Sequence, residues 1–226
     1  MNNQNVFSNV TTIANPAETN RVLRNTYALL ALSMIPTVLG AWLGLATGLM
    51  ASMAGLIITL VASFALIFVI KKTQNSAMGV FWLLAFTFVM GMMLSGSIGL
   101  VLHKKGGAEI VMLAFSATAA IFFGMATLSS VIKRDLSSMG KFLFIGLILV
   151  VVASLANIFL QSSALMITVA TISAGLFSAF ILYDLKTVRD GLETNYVSAT
   201  LSIYLDLVNL FTSLLQILGF IGGRDE

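Results

Sequence analysis

Cysteine does not occur in the chain, which excludes disulfide bridges and thiolate metal sites and leaves the redox compartment unreadable from thiol pairing. The lone histidine, His103, excludes a multi-histidine metal centre. Charge is equally scarce: 9% of the 226 residues are Asp, Glu, Lys or Arg, against 58% hydrophobic ones, and a soluble domain of that composition would aggregate. The net charge of +3 comes from basic residues that bracket apolar segments, with no aromatic-basic groove. They read as topology determinants facing cytosol and anionic headgroups, and no nucleic-acid partner is expected.

What the chain has is uncharged length. The 46 residues between Arg24 and Lys71 and the 42 between Lys141 and Asp184 each suit two helices crossing a hydrocarbon core of about 30 Å, with turns at Gly48 to Ser52 and at Gln161-Ser162-Ser163. The runs from Lys72 to His103 and from Glu109 to Lys133 suit one helix each, and the stretch from Val197 to Phe220 supplies a seventh. The spacing thus predicts an all-α integral membrane protein with spans near 26–47, 53–70, 77–101, 109–132, 142–160, 164–184 and 197–219. Residues 1–20 are polar and lack the basic and apolar segments of a secretory signal. They are expected to form a cytosolic tail, followed by a single seven-helix domain over residues 21–222.

Alternate sides of these spans collect Arg21, Arg24, Lys71, Lys72, Lys133, Arg134, Lys141, Lys186 and Arg189 on one face, and Lys104, Lys105 and Arg224 on the other. The side richer in Lys and Arg should be cytosolic. The expected topology therefore has the N-terminus inside, the C-terminus outside, and the helix 6 to helix 7 loop inside. Gly40, Gly44 and Gly48 in helix 1, and Gly91, Ser95 and Gly99 in helix 3, recur at spacings that let helix backbones approach closely.

Two acids break the pattern. Asp184 sits near the cytosolic end of helix 6, and Asp206 lies nine residues into helix 7, about 13 Å deep at the helical rise. A carboxylate at that depth must face protein or water. Ser202, Asp206, Asn209, Ser213 and Gln216 recur every three or four residues, forming a polar stripe that makes helix 7 the expected centre of the bundle. The bland reading of this stripe is interhelical hydrogen bonding; the functional one is a site. With helices 6 and 7 antiparallel, Asp184 and Asp206 can face each other, share a proton and so sense pH. The ionised pair could also attract calcium, although two carboxylates and Asn209 fall short of six to eight oxygen ligands.

Enzyme readings fare poorly. An intramembrane aspartyl protease has the Tyr183-Asp184 half of its pattern here, but Ile203-Tyr204-Leu205 precedes Asp206 where Gly-x-Gly is needed. Gly96-Ser97-Ile98-Gly99 and His103 lie on one helix and its end and do not face each other as a nucleophile and base would.

Tyr183-Asp184-Leu185, the tetrad Glu193-Thr194-Asn195-Tyr196, the helix 7 segment from Ala199 to Phe211, and Ala156-Asn157-Ile158-Phe159-Leu160 resemble the Bax inhibitor-1 family. The resemblance runs from about Arg21 to Gly219. Arg21-Val22-Leu23-Arg24-Asn25-Thr26-Tyr27 and the tetrad are most similar to its bacterial YccA-like branch, which modulates FtsH, a membrane-anchored ATP-dependent protease. The resemblance implies seven helices with the last one central, a bacterial inner-membrane location and FtsH as partner; with the protease patterns incomplete, no enzymatic activity is expected. It also implies a second function: the family's calcium-leak members carry a di-aspartate pH sensor at positions matching Asp184 and Asp206. Those members have an acid and an arginine in helix 2, whereas residues 53–70 here are uncharged. Protease regulation and a pH-sensitive cation leak thus both stay open, with no resident cofactor expected and calcium as the cation that would be carried or weakly held.

Overall fold

The computed structural model describes residues 16–136 and 138–222. These form α1 (Pro16–Thr47), a 3-10 turn (Leu49–Ala51), α2 (Met53–Thr73), α3 (Ala77–Leu102), α4 (Gly107–Val131), α5 (Met139–Leu160), α6 (Ser163–Arg189) and α7 (Tyr196–Gly222), with no strand among the described residues. All seven helices are long and apolar enough to cross a membrane.

The turns sit where the sequence breaks its own hydrophobic pattern. Gly48 ends α1 with φ of +62°, and Ser52 caps α2 by accepting from the Gly55 amide at 3.0 Å. Such a cap satisfies one of the helix's unpaired N–H groups. Between α5 and α6, Asn157 Oδ1 accepts from the Ser162 amide at 3.0 Å, and Ser162 Oγ accepts from the Leu165 amide at 3.3 Å.

Two ends depart from the expected spans by more than a few residues. α1 starts at Pro16, ten residues before residue 26, so the last five residues of the expected polar tail are helical. Proline suits the first helical position, having no N–H to leave unbonded, and Glu18 in the first turn suits the positive end of the helix dipole. The rest of that tail lies outside the described residues. α6 runs on past Asp184 to Arg189, with Lys186 and Arg189 in its last turn opposing the negative end of its dipole. It stops at Gly191, whose φ of +73° no β-carbon opposes, with the Leu192 amide bonded back to the Thr187 carbonyl at 3.0 Å.

Helix α7 is the axis. α1, α3, α4 and α6 close a ring around it, each touching α7 and its two ring neighbours. α2 flanks α3 and also reaches α7, while α5 packs on α6 alone among the described residues. From residue 197 to 215 no α7 residue is exposed. Outward faces are bulky and apolar instead, with Phe64, Phe68, Phe142, Leu149 and Phe159 exposed, which costs nothing where the neighbour is an acyl chain. Hydroxyl groups inside the helices bond their own backbone: Thr26 to the Val22 carbonyl, Thr59 to Gly55 and Thr118 to Ala114.

The tightest helix pair is α1 with α3. A β-carbon on Gly40 would overlap the Phe88 carbonyl, one on Gly44 the Ser95 hydroxyl, and one on Gly91 the Thr37 carbonyl. Gly48 is a turn residue with open space around it, and Gly99 meets only Leu45 at ordinary contact distance. Close approach therefore rests on the first two positions of each stripe. Gly91→Ala is expected to cost about 1–3 kcal/mol through overpacking, measured as unfolding of the detergent-solubilised protein. Gly124→Ala, at a glycine with nothing within 4 Å of the added carbon, should be neutral or slightly stabilising because it removes a poor helix former. Equal losses at both positions would contradict the packing account.

Candidate functional site

The site begins where α7 does. The Asn195 side chain accepts from the Val197 and Ser198 amides at 2.9 and 3.0 Å, and its carbonyl accepts from the Ala199 amide at 2.9 Å. This is an N-cap, so the Glu193 to Tyr196 tetrad has a local job: Glu193 Oε1 holds the Asn195 amide at 2.7 Å, and Asn195 starts the central helix. Asp206 follows ten residues after Tyr196, about 15 Å along the axis. Asp184 is five residues inside the end of α6 and is not its last residue.

The antiparallel packing of α6 on α7 brings these two acids together. Their carboxyl groups lie within hydrogen-bonding reach of one another. Asp206 is buried, at 8% exposure, and Asp184 is half-buried. Asp206 Oδ2 is buried and receives no N–H or O–H among the described residues. Two carboxyl groups so placed can hydrogen-bond only when one carries a proton, since a carboxylate only accepts. The two carboxyl groups thus face one another between two helices, an arrangement in which a single proton can bridge an acid and its conjugate base.

The rest of the stripe behaves differently. Asn209 Nδ2 donates to the Leu205 carbonyl at 2.8 Å and Ser213 Oγ to the Asn209 carbonyl at 2.7 Å, both within α7. Ser202 is half-buried beside the pair, and Gln216 is exposed. The interhelical bonding that the bland reading assigns to the stripe is made by another face of α7. Tyr204, fully buried, places its hydroxyl 2.8 Å from Thr37 Oγ1 on α1 and 3.2 Å from the Thr87 carbonyl on α3, with its ring edge-on to Phe86. Thr200 reaches the Thr26 carbonyl at 3.4 Å. Sequence reasoning passed over Tyr204; its signal was a phenol in mid-span, far from the headgroup level where tyrosine usually sits.

Helix 2 also needs correction. α2 extends to Thr73, so its last turn carries Lys71 and Lys72. Lys71 Nζ donates to Ser198 Oγ at 3.0 Å and lies within electrostatic range of Asp184, as does Glu193. The acid and arginine of the calcium-leak members are still absent, but the helix does bring a cation to the side of the pair nearer the α6–α7 loop.

As a resident metal centre the site is a poor fit. Asp184 and Asp206 supply at most four carboxylate oxygens, and no group of three or more metal-ligating acids or histidines forms among the described residues, against the six to eight oxygens calcium takes.

The family model described as "Inhibitor of apoptosis-promoting Bax1" matches residues 19–223. An uncharacterized membrane protein of Vibrio cholerae is 38% identical over 99% of this chain and 100% of its own length. The "Modulator of FtsH protease YccA" of Escherichia coli is 37% identical over 89% of this chain and 91% of its own. An uncharacterized protein of Neisseria meningitidis is 38% identical over 94% and 96%.

Proposed function

The chain belongs to the Bax inhibitor-1 family, and on that premise we propose that it modulates the FtsH protease in the bacterial inner membrane, without catalysing a reaction itself. The observation that carries this reading is the near full-length identity with the modulator from E. coli. Physical chemistry is compatible with it: a bundle whose outer faces are apolar and whose basic residues gather at one end presents a lipid-facing wall and a cytosolic face. The N-terminus and the α6–α7 loop lie inside in this reading, and the C-terminus outside.

A second reading rests on the acid pair. The shared proton makes Asp184 and Asp206 a bridge between α6 and α7 that repulsion replaces when the proton leaves. A cation entering from the cytosolic side would then meet two carboxylates. This is a pH-sensitive leak, with calcium as the hard cation such oxygens favour.

Purification from the native membrane in mild detergent should retain FtsH with the chain, and overproduction of the chain should change the lifetime of an FtsH substrate. Intact chain recovered without the protease, together with unchanged substrate lifetime, would sink the regulator reading. For the leak, calcium flux into proteoliposomes should rise as pH is raised through neutrality, and Asp206→Asn or Asp184→Asn should flatten that dependence while keeping hydrogen-bonding capacity. Wild-type protein passing no calcium on either side of neutrality ends that reading and leaves the pair as a structural bridge.

A further inference from the structure

The start of α7 is bound to more than its own helix. The Asn195 side-chain amide donates to the Gln74 carbonyl at 3.0 Å and to Asn75 Oδ1 at 2.7 Å, both in the α2–α3 turn. Its oxygen meanwhile caps α7 through the Val197 and Ser198 amides. An asparagine amide offers two N–H groups and two lone pairs, and here all four are used. The orientation is thus dictated: turned the other way, the NH2 group would face two amide donors and the oxygen two acceptors.

A second tie runs beside it without sharing an atom, from Lys71 at the end of α2 to Ser198 in the first turn of α7. Glu193, which holds the Asn195 amide, and Lys71 both lie within electrostatic range of Asp184. The ties therefore lie between the acid pair and the cytosolic end of the bundle. One polar atom in the same turn is left over: Gln74 Oε1 is buried and takes no hydrogen bond among the described residues. A buried acceptor without a donor costs free energy that water would return once the turn lifts.

We propose that Asn195 is a cytosolic strap: by pinning the α2–α3 turn to the N-terminus of α7 it closes the route from the cytosol to the Asp184/Asp206 pair, and its release opens that route. The device needs no metal or second protein. It also separates two jobs of one side chain, because the cap uses the oxygen and the strap uses the nitrogen. Serine at this position keeps a good N-cap but is too short to reach Gln74 and Asn75.

The absence of cysteine supplies the test. Ser202→Cys places a single thiol one turn before Asp206, half-buried on the cytosolic side of the pair. In inside-out vesicles, a charged maleimide that cannot cross the membrane should label this thiol slowly in the otherwise unchanged chain. Adding Asn195→Ser should speed labelling about tenfold, the change that losing two net hydrogen bonds produces. Adding Asn75→Ala in place of Asn195→Ser removes one of the two bonds from the other side, leaves the α7 cap untouched, and should speed it about threefold. Labelling at the parent rate in both backgrounds overturns the strap. So does an equal acceleration at a Ser213→Cys reporter deeper in the same helix, because the whole bundle has then loosened. Labelling requires neither protease nor ion flux, so failure of the strap is distinguishable from failure of either functional reading.

Discussion

Everything central in this molecule follows from the cost of placing a carboxyl group in the middle of a membrane. Asp206 is tolerable there only if it faces protein and has a hydrogen-bonding partner. α7 accordingly sits inside a ring of four helices, and the partner is a second acid, Asp184, reached by packing α6 antiparallel against α7. A pair of this kind is stable in one protonation state and repulsive in the next. In the proposed leak reading, stabilising the helix pair and making it responsive are one property.

The surrounding packing gives that pair a fixed frame. Gly40, Gly44 and Gly91 let α1 and α3 approach to backbone contact, and Tyr204 then reaches from α7 to both through Thr37 and Thr87. Because Tyr204 is two residues from Asp206 on the same helix, holding the phenol sets the rotation of α7 and so the direction of the carboxyl group. Along the axis, Asn195 sets where the helix begins. At the far end, Lys104 Nζ donates to the Gly219 carbonyl at 2.7 Å, occupying an acceptor in the last turn of the same helix.

Much of this was legible in the sequence, for identifiable reasons. The seven spans follow from uncharged runs whose lengths match a bilayer, and the centrality of α7 from a polar stripe that lipid could not face. The end of α6 is not legible from charge, because Asp184 marks the edge of the apolar run while Leu185 and Val188 behind it are buried and continue the helix. The start of α1 is hidden for the same reason: Arg21 and Arg24 end the uncharged run, yet Val22 between them is buried against Val188 and Ala199. The stripe named the face on which Asp206 lies, while the hydrogen bonds of Asn209 and Ser213 close on their own backbone. Spacing along one helix specifies a face, whereas partners depend on the rotation of neighbouring helices. For that reason Tyr204, Lys71 and the cross-links from Asn195 could not be read from periodicity.

In the proposed reading Asp184 and Asp206 hold one proton between them. Infrared spectroscopy of the protein in lipid can detect it through the carbonyl stretch of a protonated carboxylic acid, which ionised acids lack. Such a band is expected near neutral pH, shifted by deuterium exchange, lost or displaced in both Asp184→Asn and Asp206→Asn, and abolished when the medium is made alkaline enough to remove the shared proton. A spectrum with no protonated carboxyl near neutral pH, or a band untouched by either substitution, would contradict it.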